Sequence, residues 1–155
     1  MVSPAVDGTA VSDLRVLQDQ QKITEICYRY GLALDSRDWA ALAALFTPDA
    51  DAFYLEMPPA RGYQAIEDTC RAALTPLSAT QHLISNVVVR VDGDRAECSC
   101  YLQAQHVKTG TAGGDHYIIA GRYDDQLVRT TNGWRIRERR LQVMWTDGNP
   151  AVVGG

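Results

Sequence analysis

Three histidines, an aspartate closing a helical pattern and seven tyrosines are the side chains in this 155-residue sequence best suited to moving protons. An imidazole titrates near pH 6.5 when unperturbed, so it can both take and return a proton near neutrality. His82 opens the run QHLISN at 81–86, and His106 lies just before a glycine-rich stretch, KTGTAGG, at 108–114. Asp35 falls in the last turn of a helical pattern, where the negative end of the helix dipole disfavours an acid. Two readings of Asp35 follow: a surface pair with Arg37 worth at most ~1 kcal/mol, or a carboxylate whose placement is explained by a histidine partner. His82 is either a strand-end imidazole bonded to backbone or that partner. His116, just past the glycine-rich stretch, reads as a surface residue. Tyr30 and Tyr54 read either as core aromatics with satisfied hydroxyls or as acids.

The elements that must hold these groups are legible from apolar spacing. Ser12 caps a long helix over 13–35, with Leu14, Leu17, Ile23, Ile26, Cys27, Tyr30, Ala33 and Leu34 on its apolar positions. Asp38 caps a second helix over 39–46, and Pro48 bars its continuation. A short strand is expected at 52–56, ended by Pro58-Pro59. After Gly62 comes a third helix with Ala65, Ile66, Cys70, Ala73 and Leu74 on one stripe, stopped by Pro76.

From residue 81 the period changes. The β-branched run 81–91 meets a turn at Asp92-Gly93-Asp94, a second strand covers 95–107, and a third covers about 115–130. Asn132-Gly133 then turns the chain into a last strand, 134–145. Helices followed by hairpin-linked strands predict an α+β fold, three N-terminal helices packed on one face of a curved antiparallel sheet. The expected organisation is a flexible tail at 1–12, one domain at 13–147 and a frayed C-terminal tail at 148–155.

A curved sheet facing helices leaves a hollow between them. Period two puts His82, Ile84, Asn86 and Val88 on one face of their strand, and Cys98, Cys100, Leu102, Ala104 and His106 on one face of the next. If both histidines face inward, the lining is an apolar wall with two imidazoles and an amide, which suits a mostly hydrophobic small molecule. Asn86 could polarise a ligand carbonyl, Leu102 could form part of the wall, and Trp145 near the end of the last strand could touch a ligand.

Composition excludes several other classes. A net charge of −4 gives no electrostatic reason to bind nucleic acid or anionic lipid. Arg135, Arg137 and Arg139 share one strand face by period two and Arg140 the other; with Asp124, Asp125 and Glu138 nearby they read as a solvated or dimer-facing sheet surface. No apolar stretch approaches the ~20 residues that span a bilayer, and the start, MVSPAVDGTAVSD, lacks a basic and apolar leader, so a cytoplasmic protein is expected. Cys27, Cys70, Cys98 and Cys100 never form a C-x-x-C pair and read as buried free thiols. Neither a metal nor another cofactor is expected, since no H-E-x-x-H or comparable motif occurs.

Several stretches together resemble the SnoaL-like members of the nuclear-transport-factor-2-like (NTF2-like) superfamily. They are YRYGLALDSRDWAALAALFTPDA at 28–50, Gly62 opening the third helix, QHLISN at 81–86, GDRAECSCY at 93–101, GRYDDQLVRT at 121–130 and GWRIRERRL at 133–141. The superfamily includes polyketide cyclases, scytalone dehydratase, a dehydrochlorinase and ketosteroid isomerase. The resemblance implies a cone-shaped fold, a homodimer formed through the outer sheet face, and an enzyme working without a cofactor. By resemblance to scytalone dehydratase, Asp35, Tyr54, His82 and His106 are the expected catalytic residues. The dehydratase has a second tyrosine directly before its aspartate; this chain has Leu34 there, and its nearest tyrosine is Tyr30. The dehydrochlorinase resemblance implies an Asp35–His82 dyad. The expected activity is that of a lyase of the dehydratase kind, or of a cyclase or isomerase, on a polyketide or aromatic metabolite; the alternative is a non-catalytic binding protein with the same pocket.

Overall fold

The computed structural model describes residues 8–55 and 57–154. Helix α1 spans Gly8–Ser36 and α2 Trp39–Ala43; strand β1 follows at Phe46–Phe53, β2 at Ala60–Arg61 and α3 at Tyr63–Leu74. The second half holds β3 (Ala79–Asp92), β4 (Arg95–Val107), β5 (His116–Thr130), β6 (Gly133–Gly148) and a 3-10 turn at Pro150–Val152. The six strands form one sheet in the order β2-β1-β6-β5-β4-β3. All neighbours are antiparallel except β1 and β6, which run parallel. The sheet is therefore mixed, a correction to the expected antiparallel one. Two of its strands also separate α2 from α3, so the three helices are not an uninterrupted N-terminal run.

The face of α1 that turns inward carries Ile23, Ile26, Cys27, Tyr30, Ala33 and Leu34, all buried at helical spacing. Leu14 and Leu17 are exposed, because the helix runs past the core at that end. It begins at Gly8, so Ser12 lies inside it and is no cap; residues 1–7 of the expected tail lie outside the described residues. The helix lies along β3, an edge strand whose outward polar groups need partners. Gln20 donates to the Val89 carbonyl at 3.4 Å, and Asp35 meets the opposite end of the strand. Between them Gly31 permits close approach: a Cβ there would stand 3.3 Å from the His82 carbonyl and from Ile84.

The helix ends in a Schellman motif. Asp38 N–H donates to the Ala33 carbonyl and Arg37 N–H to that of Leu34, with Arg37 in the left-handed region at φ +59°. Asp38 then caps α2 by accepting from Ala41 N–H at 2.9 Å. α2 stops at Ala43, short of the expected 46. The chain passes at Phe46 into β1, which replaces the short strand expected at 52–56. Pro48, which lacks a donor, falls where the pairing of β1 with β6 is irregular, between Phe46 and Asp51.

Bulges change which residues face the core; besides the one that leaves Met144 as an extra residue just before Trp145, two matter here. In β3, Ser85 pairs with Tyr101 and Val88 with Ser99, so one extra residue is accommodated around Asn86, whose φ is +51°. His82 and Ile84 point inward as expected, but beyond the bulge Val87, Val89 and Val91 pack on the core while Val88 is exposed. In β6, Ile136 pairs with Leu127 and Glu138 with Gln126, which leaves Arg137 as the extra residue. Trp134, Ile136 and Arg139 consequently share the buried side. The chain end is not frayed either: Asn149 caps the 3-10 turn and Val152 is 1% exposed in the core.

Candidate functional site

Helices α1 and α3 and the concave face of the sheet enclose a cavity of about 190 Å³. Its walls are mostly apolar: Leu34, Leu74, Leu102, Ala104, Ile119 and Leu141 contribute from five elements, and Leu55, Met57 and Val153 stand partly exposed at the rim. The polar groups on this wall are His82, His106, Thr69 and the hydroxyls of Tyr30, Tyr54 and Tyr123.

Behind His82, outside the cavity wall, sits Asp35. Its Oδ1 lies 2.7 Å from His82 Nδ1, and its Oδ2 accepts the His82 backbone N–H at 2.8 Å. Thr80 Oγ1 donates to Oδ1 at 3.1 Å. The carboxylate thus satisfies an edge-strand N–H and a ring nitrogen at once, which answers the helix-dipole objection to an acid here. Burial pushes the Asp35 carboxyl up, yet the hydrogen bonds from His82 and Thr80 outweigh it and hold the group below its ordinary value. With Nδ1 bound to a carboxylate, the Nε2 lone pair is the free one.

The other expected residues divide. His106 is buried on β4, edge-on to His82 with ring centroids 6.0 Å apart. Burial, reinforced by the neighbouring His82, pushes its pKa down to about 4. It is therefore a neutral imidazole at physiological pH, and its Nδ1 has no hydrogen-bond partner among the described residues. Tyr54 follows the end of β1, and its hydroxyl lies 2.8 Å from that of Tyr30 on α1. Burial drives both phenols well above their ordinary value, so they remain neutral donors. Leu102 lines the wall as expected.

Asn86 and Trp145 do not reach the cavity. Asn86 sits exposed in the β3 bulge, at the register break that period two cannot foresee. Trp145 pairs with Ala120, whose neighbour Ile119 faces the cavity; Trp145 thus lies on the outer sheet face and is half exposed. His116 is exposed, as read from the sequence.

Arg139 was legible only as a surface arginine, and the structure corrects this. It is 0% exposed, donates to both Asp125 oxygens at 2.7 and 2.5 Å, and stacks its guanidinium 3.9 Å from the Tyr30 ring centroid and 4.3 Å from that of Tyr123. A cation therefore backs two of the phenols that line the cavity. No sequence signal marked it, because the bulge at Arg137 reverses the strand's faces. All four cysteines are buried free thiols, with the sulfurs of Cys27 and Cys98 3.5 Å apart. Among the described residues no three His, Cys, Asp or Glu side chains converge as a metal site would require, and no helix is long and apolar enough to cross a membrane.

An α+β fold with helices over a mixed six-stranded sheet is the fold of the NTF2-like class, to which the comparisons assign the chain. The chain belongs to the SnoaL-like domain family, whose sequence model matches residues 15–140. It is 29% identical over 160 aligned positions to terrestric acid biosynthesis cluster protein E of Penicillium crustosum, covering 99% of each chain. Among solved structures, an NTF2-like protein with a cystatin-like fold from Novosphingobium aromaticivorans matches with a TM-score of 0.74 at 29% identity, over 97% of this chain and 96% of that one. A protein of the same organism, provisionally named a scytalone dehydratase, matches with a TM-score of 0.79 at 25% identity, over 89% of this chain and 91% of that one.

Proposed function

We propose that this protein is a cofactor-independent enzyme that performs acid–base chemistry on a hydrophobic small molecule, of the size and character of a polyketide or aromatic metabolite. The observation that carries the reading is the 2.7 Å contact between Asp35 and His82, with His82 on the wall of an apolar cavity opposite neutral phenols. The similarity to a protein of a biosynthesis cluster supports a role in secondary metabolism.

His82 Nε2 takes a proton from the carbon next to a substrate carbonyl, and the Asp35 carboxylate stabilises the imidazolium that forms. The electron pair moves onto the carbonyl oxygen, where Tyr30, Tyr54 or His106 donates a hydrogen bond to the developing enolate. In dehydration the pair then returns to form a carbon–carbon double bond and expels a β-hydroxyl, which takes the proton held by the His82 imidazolium and leaves as water, restoring the neutral base. In isomerisation the proton returns to another carbon, and in cyclisation the enolate carbon attacks a second carbonyl. Apolar walls keep bulk water from quenching the enolate. A dehydratase-type lyase is the form favoured by the Tyr54, His82 and His106 set.

Turnover of a panel of β-hydroxy ketones and polyketide-like aromatics across pH, in wild type, Asp35→Asn and His82→Ala, tests the reading. Loss in both variants supports it; equal rates in all three remove the dyad from the chemistry, and saturable binding without turnover makes the protein an accessory binder. A homodimer through the outer sheet face belongs to the same proposal. Leu83, Val88, Tyr101 and Trp145 are exposed there, and sedimentation as a monomer overturns it.

A further inference from the structure

We propose that Arg37 and Thr80 are positioning residues that hold the Asp35 carboxylate in the orientation from which it accepts the His82 Nδ1–H. The inference deepens the proposed function and rests on the Asp35–His82 pair. Arg37 has no acceptor on its side chain, so its Nη1 can only donate to Thr80 Oγ1, at 2.7 Å. Thr80 has a single hydroxyl hydrogen. With a lone pair engaged by Arg37, that hydrogen is turned toward Asp35 Oδ1, 3.1 Å away. An ionised carboxylate only accepts, so the remaining bond, from Nδ1 of His82 at 2.7 Å, must be donated by the ring. The chain of donors runs one way, from guanidinium to hydroxyl to carboxylate, with the imidazole N–H meeting it from the other side.

The backbone supports a dedicated role for Arg37. It occupies the left-handed C′ position of the α1 Schellman motif, which glycine would take without strain. In exchange its guanidinium reaches the Leu34 carbonyl at 2.6 Å and the Leu74 carbonyl at 3.0 Å, so the group that orients Thr80 is itself held by the ends of α1 and α3. A residue needed only to end the helix has no reason to be an arginine here.

Nitrogen-15 and proton NMR of histidine-labelled full-length protein, at alkaline pH where imidazoles are neutral, reads both the tautomer of His82 and the strength of its Nδ1–H bond through their shifts and needs no substrate. Wild type is expected to show the proton on Nδ1. Thr80→Val, which keeps the shape and removes the hydroxyl, is expected to keep the proton on Nδ1 but to move the Nδ1 nitrogen and proton shifts as the carboxylate reorients, and Thr80→Ser to restore them. Arg37→Gly, which relieves the backbone and deletes the donor, is expected to move the same two shifts in the same sense by a smaller amount. A wild-type His82 signature in both Thr80→Val and Arg37→Gly overturns the proposal. If Thr80→Val does not fold, Arg37→Gly with Thr80→Ser as its control decides alone. Asp35→Asn separates the two levels: altered Nδ1 shifts in Asp35→Asn with none in the Thr80→Val and Arg37→Gly proteins sink only the positioning role, whereas unaltered shifts in Asp35→Asn sink the dyad as well.

Discussion

Two carboxylates in this protein each hold a nitrogenous partner, and of these two pairs only Asp35–His82 adjoins the apolar cavity between helices and sheet. Asp125 and Arg139 are sealed, with side chains 1% and 0% exposed, while Asp35 remains 24% exposed behind a His82 that is 5% exposed and forms part of the cavity wall. The sealed pair joins β5 to β6 and props the rings of Tyr30 and Tyr123. Its charges cannot move, because an arginine does not give up its proton and no ligand reaches it. The open pair places an imidazole on the wall of an apolar cavity. Burial with a partner is thus no mark of chemistry; a partnered group with one free lone pair on a cavity is.

The comparison breaks first at the sealed pair. Arg139→Ala leaves Asp125 buried and unpaired, and is expected to lower unfolding stability by about 3–5 kcal/mol in urea titrations. The same measurement on Asp35→Asn should show a much smaller loss, since that side chain keeps access to water. Comparable losses in the two would erase the distinction. In turnover on a substrate found by the panel the order reverses: His82→Ala is expected to reduce kcat by about 10²–10⁴ with the fold retained. A smaller effect, on pH dependence, comes from His106. Its folded pKa lies below its ordinary 6.5, at about 4, so between those values the unfolded chain binds the proton first. Stability is therefore full above pH 6.5 and falls as pH drops toward 4, and His106→Gln should flatten that slope in pH-dependent unfolding. The smallest effect belongs to Trp145→Ala. On the outer face it should leave turnover within about twofold, with any consequence confined to self-association measured by sedimentation; a large loss of turnover would return Trp145 to the site.

Much of the site could be read before the fold was known. The strands at 81–91, 95–107, 115–130 and 134–145 differ from β3 to β6 by a few residues at their ends, because alternation and the Asp92-Gly93-Asp94 and Asn132-Gly133 turns are local signals. On β4 the alternation Cys98, Cys100, Leu102, Ala104, His106 is unbroken and all five are buried. Asn86 and Arg139 were misplaced for one shared reason: a single extra residue in a strand flips every side chain beyond it. Whether the ladder takes up that residue depends on the partner strand. The parallel pairing of β1 with β6 is non-local in the same way.

Residue type and spacing alone determined the α+β order of elements, the amphipathic first helix, and an acid at its end awaiting a base. These follow from interactions within a few residues along the chain, which any window of sequence contains. Only the tertiary structure decided that Asp35 meets His82, that Thr80 and Arg37 stand behind the pair, and which arginine is buried. Those outcomes depend on how far α1 slides along β3 and where the bulges fall, quantities set by packing between segments more than forty residues apart in sequence.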